Sequence, residues 1–127
     1  MNVLLDTHVL LWWFTRDARV SAPADAVLTS TDNRIYVSAA VAWEVAIKTA
    51  SGKLAGEAIL SDFQGLLLQR GFRRLAISTD HAIRAGLLPQ VHRDPFDRML
   101  AAQSQALNFP ILSADPIFDR YGVQRIW

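Results

Sequence analysis

The 127-residue chain contains no cysteine. Disulfides and thiolate metal sites are therefore excluded, and any metal must be held by oxygen or imidazole. No apolar run is long enough to span a membrane: Asp6 and His8 interrupt the first one, and Gln69 and Arg70 end the run through Leu66 to Leu68. The N-terminus lacks the basic segment of a secretory signal, which makes the cytoplasm the expected compartment. An excess of charge of one sign is missing as well. At a formal net charge of +1 there is no bulk basic field, so a nucleic-acid partner would have to be held by a local patch. No repeat, low-complexity tract or Pro/Gly-rich linker divides the chain, and residues 1–127 fit one domain. With 51% hydrophobic residues, a packed core is expected and a disordered tail is not.

Short strands alternate with helices along the chain. Val3, Leu4 and Leu5 form a continuous apolar run, which suits a strand buried on both faces of a parallel sheet. Ile35 to Val37, Leu75 to Ile77 and Ile111 with Leu112 read as three more, and Val123 to Trp127 as a last edge strand. Between them, helices are expected over the segments carrying Val9 to Phe14, Pro23 to Leu28, Ala39 to Thr49, Ala58 to Gln69, Thr79 to Leu88 and Pro95 to Leu107. A short helix is expected from Asp115 to Asp119. In the Ala39 to Thr49 helix, Val41, Ala42, Val45 and Ile47 would form the apolar side. The alternation predicts a three-layer α/β/α domain around a mainly parallel sheet of four to five strands.

Four acids then share a pattern. Asp6 closes the first strand, Glu44 lies inside the helix after the second, Asp97 lies in the first turn of the long late helix, and Asp115 follows the fourth strand by a turn. In a parallel sheet those strand ends and helix starts lie along one edge, where α/β domains bind ligands. Each acid also has an ordinary explanation. Asp6 or Thr7 would cap the first helix. Glu44 stands four residues before Lys48, the favourable order for a helix ion pair. Asp94 followed by Pro95 reads as an N-cap, which makes Asp97 an acid helped by the helix dipole, and Asp115 with Pro116 repeats the arrangement. Glu44, however, lies in an otherwise uncharged run from Ala39 to Ile47, and an ionised acid there needs a partner. Two carboxylates ~5 Å apart repel by roughly 3 kcal/mol at an effective dielectric of 20. A proton or a divalent cation must offset that cost, and hard oxygen ligands without thiolates select Mg²⁺ or Mn²⁺.

The segments VLLDTHVLLWW, VSAAVAWEVAIK, LPQVHRDPFDRMLAAQ and LSADPIFDRYGV together resemble the successive motifs of PIN-domain ribonucleases, specifically the VapC-type toxins of bacterial toxin–antitoxin pairs. The resemblance runs over essentially the whole chain. It implies that Asp6, Glu44 and Asp97 match the three core acids of the family and Asp115 the fourth, and that Ser113 stands where the family has Thr or Ser, with Thr7 as a further supporting residue. Val41 stands where related sequences often have a small polar residue. The implied activity is metal-dependent hydrolysis of RNA phosphodiester bonds, with Mg²⁺ or Mn²⁺ held by Asp6 and Asp97, and by Glu44 and Asp115 directly or through water. Arg93, Arg98, Lys48 and Arg16 are the candidates for phosphate contacts.

The implied partners are RNA, a cognate antitoxin and a second copy of the chain. Adjacent Trp12 and Trp13 cannot both face one core, and with Trp43 they would serve packing, base stacking, a dimer contact or an antitoxin groove. No two of His8, His81 and His92 have zinc-site spacing, so packing or surface roles are expected of them. Asp94 is expected to cap its helix and not to bind metal directly. Two rival readings stand beside this one. An aspartyl-phosphate hydrolase would want a second Asp where His8 stands. A catalytically silent PIN-like protein-binding domain would have no need of all four acids.

Overall fold

A computed structural model describes all residues from Met1 to Trp127. Its centre is a five-stranded sheet in which every pairing is parallel, in the order β3-β2-β1-β4-β5. The strands are β1 (Asn2–Leu5), β2 (Arg34–Ser38), β3 (Arg73–Leu75), β4 (Ile111–Leu112) and β5 (Arg125–Ile126). The helices are α1 (Thr7–Phe14), α2 (Ala22–Thr29), α3 (Ala39–Ala50), α4 (Glu57–Ser61), α5 (Phe63–Gln69), α6 (Thr79–Leu87) and α7 (Pro95–Leu107), with a 3₁₀ helix over Pro116–Tyr121. None of them is long and apolar enough to cross a membrane.

From β1 the chain steps outward to β2 and β3, then returns past β1 to β4 and β5. Because parallel crossovers are right-handed, that reversal puts the helices of the two halves on opposite faces and makes three layers. It also puts a switch point between β1 and β4. Val3, Leu4, Leu5, Ile111 and Leu112 are fully buried there, as expected of strands covered on both faces. Leu4 pairs with Ile111 and Leu5 with Leu112, so Asp6 and Ser113 leave the sheet side by side.

Three local expectations are corrected. The segment from Ala58 to Gln69 is two helices and not one: Asp62 breaks the run and turns its carboxylate to the Gly65 N–H at 3.1 Å, capping α5. The third strand lies two residues earlier than the apolar run Leu75 to Ile77 suggested. It is an edge strand paired with β2 through Arg73, Arg74 and Leu75, and an edge tolerates, even favours, charge. In α3 the core-facing stripe is Ala40, Val41, Glu44 and Val45, while Ile47 is exposed. Glu44 thus sits on the buried face itself.

Arg98 is a fourth correction, because it is a structural residue and not a surface phosphate ligand. Its side chain is buried in α7, and its guanidinium donates to the carbonyls of Ala85 (2.8 Å), Leu88 (3.1 Å) and Pro89 (3.0 Å), with longer contacts to Gly86 and His92 (both 3.4 Å). These include carbonyls of the last turn of α6, Ala85 and Gly86, where a cation also meets the negative end of the helix dipole. Arg98→Met should therefore lower the free energy of unfolding by about 2–4 kcal/mol, because several buried carbonyls lose a charged donor at once. Urea denaturation reads this directly, and an unchanged midpoint would mean that the guanidinium is not held.

Candidate active site

Asp6 follows directly on β1, and the residue is 3% exposed. One oxygen accepts the Thr7 N–H at 2.7 Å and the other the Ser113 hydroxyl at 2.7 Å. Both readings of this residue hold: it is the N-cap of α1 and a buried acid at the sheet edge. Thr7 extends the network, since its hydroxyl donates to Glu44 Oε1 at 2.6 Å. The other Glu44 oxygen is taken by Lys48. Ser113 extends it the other way by accepting the Asp115 N–H at 3.0 Å. Two hydroxyls thereby tie β1, α3 and the end of β4 into one hydrogen-bonded chain.

Asp97 comes to this edge on the first turn of α7. Pro95 starts that helix and Asp94 caps it, accepting the N–H groups of Phe96 at 2.8 Å and Asp97 at 3.1 Å. The cap expected for Asp94 is present. Beside Asp97 stands His92, whose Nε2 lies 2.9 Å from Asp97 Oδ2. Potential ligand atoms of His92, Asp94 and Asp97 all lie within 4.8 Å of one another.

The electrostatics report the crowding. Burial, opposed by the Ser113 hydrogen bond, raises the Asp6 pKa above its ordinary value. Burial first, and then the charges of Asp6, Asp94 and Glu44, push Asp97 up to about 7 despite the His92 contact. The Lys48 pKa is raised as well, chiefly by its hydrogen bond to Glu44, so the ammonium stays protonated. A set of hard oxygen donors, one of which keeps its proton near neutral pH, fits a divalent cation, which would replace that proton and relieve the repulsion.

Asp6, Glu44 and Asp97 therefore share one edge of the fold, near enough that Asp6 feels the charge of Glu44 and Asp97 the charges of both. Asp115 is more loosely joined: it is exposed, and its carboxylate accepts the Ile117 N–H at 2.9 Å as the cap of the 3₁₀ helix. Among the basic candidates, Lys48 is engaged by Glu44, while Arg93 and Arg16 are exposed. His92 was expected in a packing or surface role and instead touches a candidate site acid. Its signal in the sequence was its place two residues before the Asp94 cap, where the chain turns back over the first turn of α7. His81 packs as expected, completing a capping box at the start of α6 with Ser78. The tryptophans divide: Trp13 packs on the core, Trp12 lies against Trp127 (5.9 Å between rings) with Arg19 stacked on it, and Trp43 is 54% exposed with its edge against Phe96.

The family model described as PIN domain matches residues 3–124. Among solved structures, VapBC2 from Rickettsia felis bound to a DNA fragment from its promoter has a chain with TM-score 0.73 and 16% identity, covering 98% of this chain and 97% of that one. DNA-bound VapBC from Salmonella typhimurium gives 0.72 at 20% identity, covering 98% and 96%. FitAcB from Neisseria gonorrhoeae gives 0.65 at 18%, covering 97% and 95%. At these identities the likeness is one of fold. No sequence among curated proteins matches significantly.

The raised pKa of Asp97 sets a pH dependence in the metal-free protein. Between the ordinary value of 3.8 and about 7 the unfolded chain has lost this proton and the folded chain keeps it, so stability falls as pH rises through that window. The contribution between pH 5 and pH 8 is roughly 2 kcal/mol. Asp97→Asn should flatten that part of the profile and leave the protein at least as stable as the parent at pH 8. Denaturation in EDTA across this range measures it, and a marked loss of stability in the variant at pH 8 would refute the repulsion.

Proposed function

The chain belongs to the PIN domain family, and on that premise we propose that it is a metal-dependent endoribonuclease acting as the toxin of a toxin–antitoxin pair. The observation that carries the enzymatic part is the convergence of Asp6, Glu44 and Asp97 at the switch point, with Asp97 forced toward its neutral form. Burying acids together at this cost serves no packing purpose. Asp6 and Asp97 are the residues that would hold Mg²⁺ or Mn²⁺, with Glu44 and Asp115 reached through water. When bound, the ion supplies Lewis-acid activation of water and screens the charge developing on the phosphate.

The remaining work falls to the chain itself. Thr7 and Ser113 fix Asp6, each by one hydrogen bond to a different oxygen. Every carboxylate oxygen has two lone pairs, so both can accept these bonds and still face a ligand. Lys48 neutralises Glu44 and also feels Asp94 and Asp97, which lowers the repulsion an incoming phosphodiester meets. Arg93 and Arg16, both exposed, are the remaining candidates to meet the RNA backbone. The toxin role is supported by the similar structures of VapBC, a family of toxin–antitoxin systems. It brings an antitoxin as partner, a second copy of the chain as the expected assembly, and the cytoplasm as the place of action. Trp43 and Ile47, one turn apart on α3 and both exposed, offer apolar surface for such contacts.

Purified protein incubated with single-stranded and structured RNA should cleave in Mg²⁺ and stop in EDTA. Asp97→Asn should lower the rate by more than about 100-fold, beyond the loss expected when only an outer-sphere partner is removed. Cleavage surviving both EDTA and the substitution would reject the metal-nuclease reading. A protein that cuts no RNA but forms a stable complex with the antitoxin encoded beside it would favour a silent binding domain.

A further inference from the structure

His92 lies in the irregular link between α6 and α7, a kind of segment that does not by itself hold a side chain in one place. Here the link is pinned. Arg98 reaches out of the first turns of α7 and gathers the carbonyls of Ala85, Leu88 and Pro89, with a longer contact to the carbonyl of His92 itself. Downstream, Asp94 locks the chain to the start of α7 through two backbone N–H groups. His92 is therefore held from both sides, and its ring reaches Asp97 Oδ2 at 2.9 Å. Asp97 Oδ1 has no hydrogen-bond donor within the chain, so His92 is the one group that fixes the rotation of this carboxylate.

We propose that His92 is a positioning residue, which orients the Asp97 carboxylate for cation binding from a loop clamped by Arg98 and Asp94. The inference rests on the reading of Asp97 as a metal ligand. A cation replaces the Asp97 proton, and the ionised carboxylate then only accepts, so in that state Nε2 would carry the hydrogen and donate it to Oδ2, leaving Oδ1 and the remaining lone pair of Oδ2 for the ion. A ligand held this way loses little rotamer freedom on binding, and removal of such a partner costs roughly 10–100-fold in metal affinity. The segment His92 to Arg98 thus works as one unit: a donor, a cap, a ligand and a clamp, each at a fixed place along one loop and one helical turn.

The test is Mn²⁺ binding to the full chain by isothermal titration calorimetry, with thermal melts of the metal-free proteins alongside. His92→Phe keeps the ring's bulk but has no donor. It should weaken Mn²⁺ binding by about 10-fold or more with little change in the melting temperature. His92→Gln, whose Nε2 can occupy the same place, should recover most of the affinity. A phenylalanine variant that binds Mn²⁺ like the parent, or a glutamine variant no better than phenylalanine, overturns the role of His92. Asp97→Asn separates the two levels of the argument: if it binds Mn²⁺ as tightly as the parent, the ligand assignment of Asp97 falls, and the inference with it.

Discussion

The carboxylate of Asp6 is the interaction on which the arrangement depends. It stands at the end of a strand buried on both faces, where water cannot solvate it, and its two oxygens are satisfied by the Thr7 N–H and the Ser113 hydroxyl. Those donors are not interchangeable accessories. Thr7 begins α1 and Ser113 directly follows β4, so a single acid joins the first and last parts of the fold across the crevice at the switch point. The β1–β4 register, Leu5 against Leu112, makes the meeting of Asp6 and Ser113 a consequence of strand pairing.

From that point the cost of burying charge organises the neighbourhood. Glu44 occupies the core-facing stripe of α3 because Ala40, Val41 and Val45 turn the same way, and its presence there is tolerable only because Thr7 and Lys48 take one oxygen each. The ion pair with Lys48 was a plain surface possibility in the sequence. In the fold the same pair becomes internal neutralisation, at a place where the net charge controls what can approach. Asp97 arrives last, with no cation of its own, and so carries the unrelieved repulsion of the set. A bound divalent ion, or failing that a proton, is the remaining way to balance it.

What could be read from the sequence follows from the reach of each signal. The strands β1, β2 and β4 are spelled by apolar runs because both their faces are covered. The helices α2 and α7 are legible from Pro23 and Pro95 in their first turns. The third strand begins two residues before its apolar run because an edge strand need not be apolar, and Arg73 and Arg74 carry its pairing. The break at Asp62 leaves no mark in the apolar periodicity, because a single residue both ends one helix and caps the next. At the candidate site, Asp6, Glu44 and Asp97 were legible as acids falling at equivalent topological places. Asp115 had the right place along the chain, yet its side chain is spent on a 3₁₀ cap at the exposed rim.

Arg98 and His92 show where sequence reasoning changes sign. An arginine beside a cluster of acids in a protein expected to bind RNA invites assignment to phosphate. Its neighbours along α7 are better evidence: Phe96, Leu100, Ala101 and Ala102 are buried with it, so the side chain leaves on the protein side of the helix. There it has carbonyls to satisfy and no carboxylate. A lysine offers no planar fork for several carbonyls, which makes the guanidinium a specific requirement of this loop. His92 depends on that requirement in turn, for its ring meets Asp97 only while the loop beneath it is held. The precision of the proposed cation site would thus be set outside the acids, by a buried arginine that touches none of them.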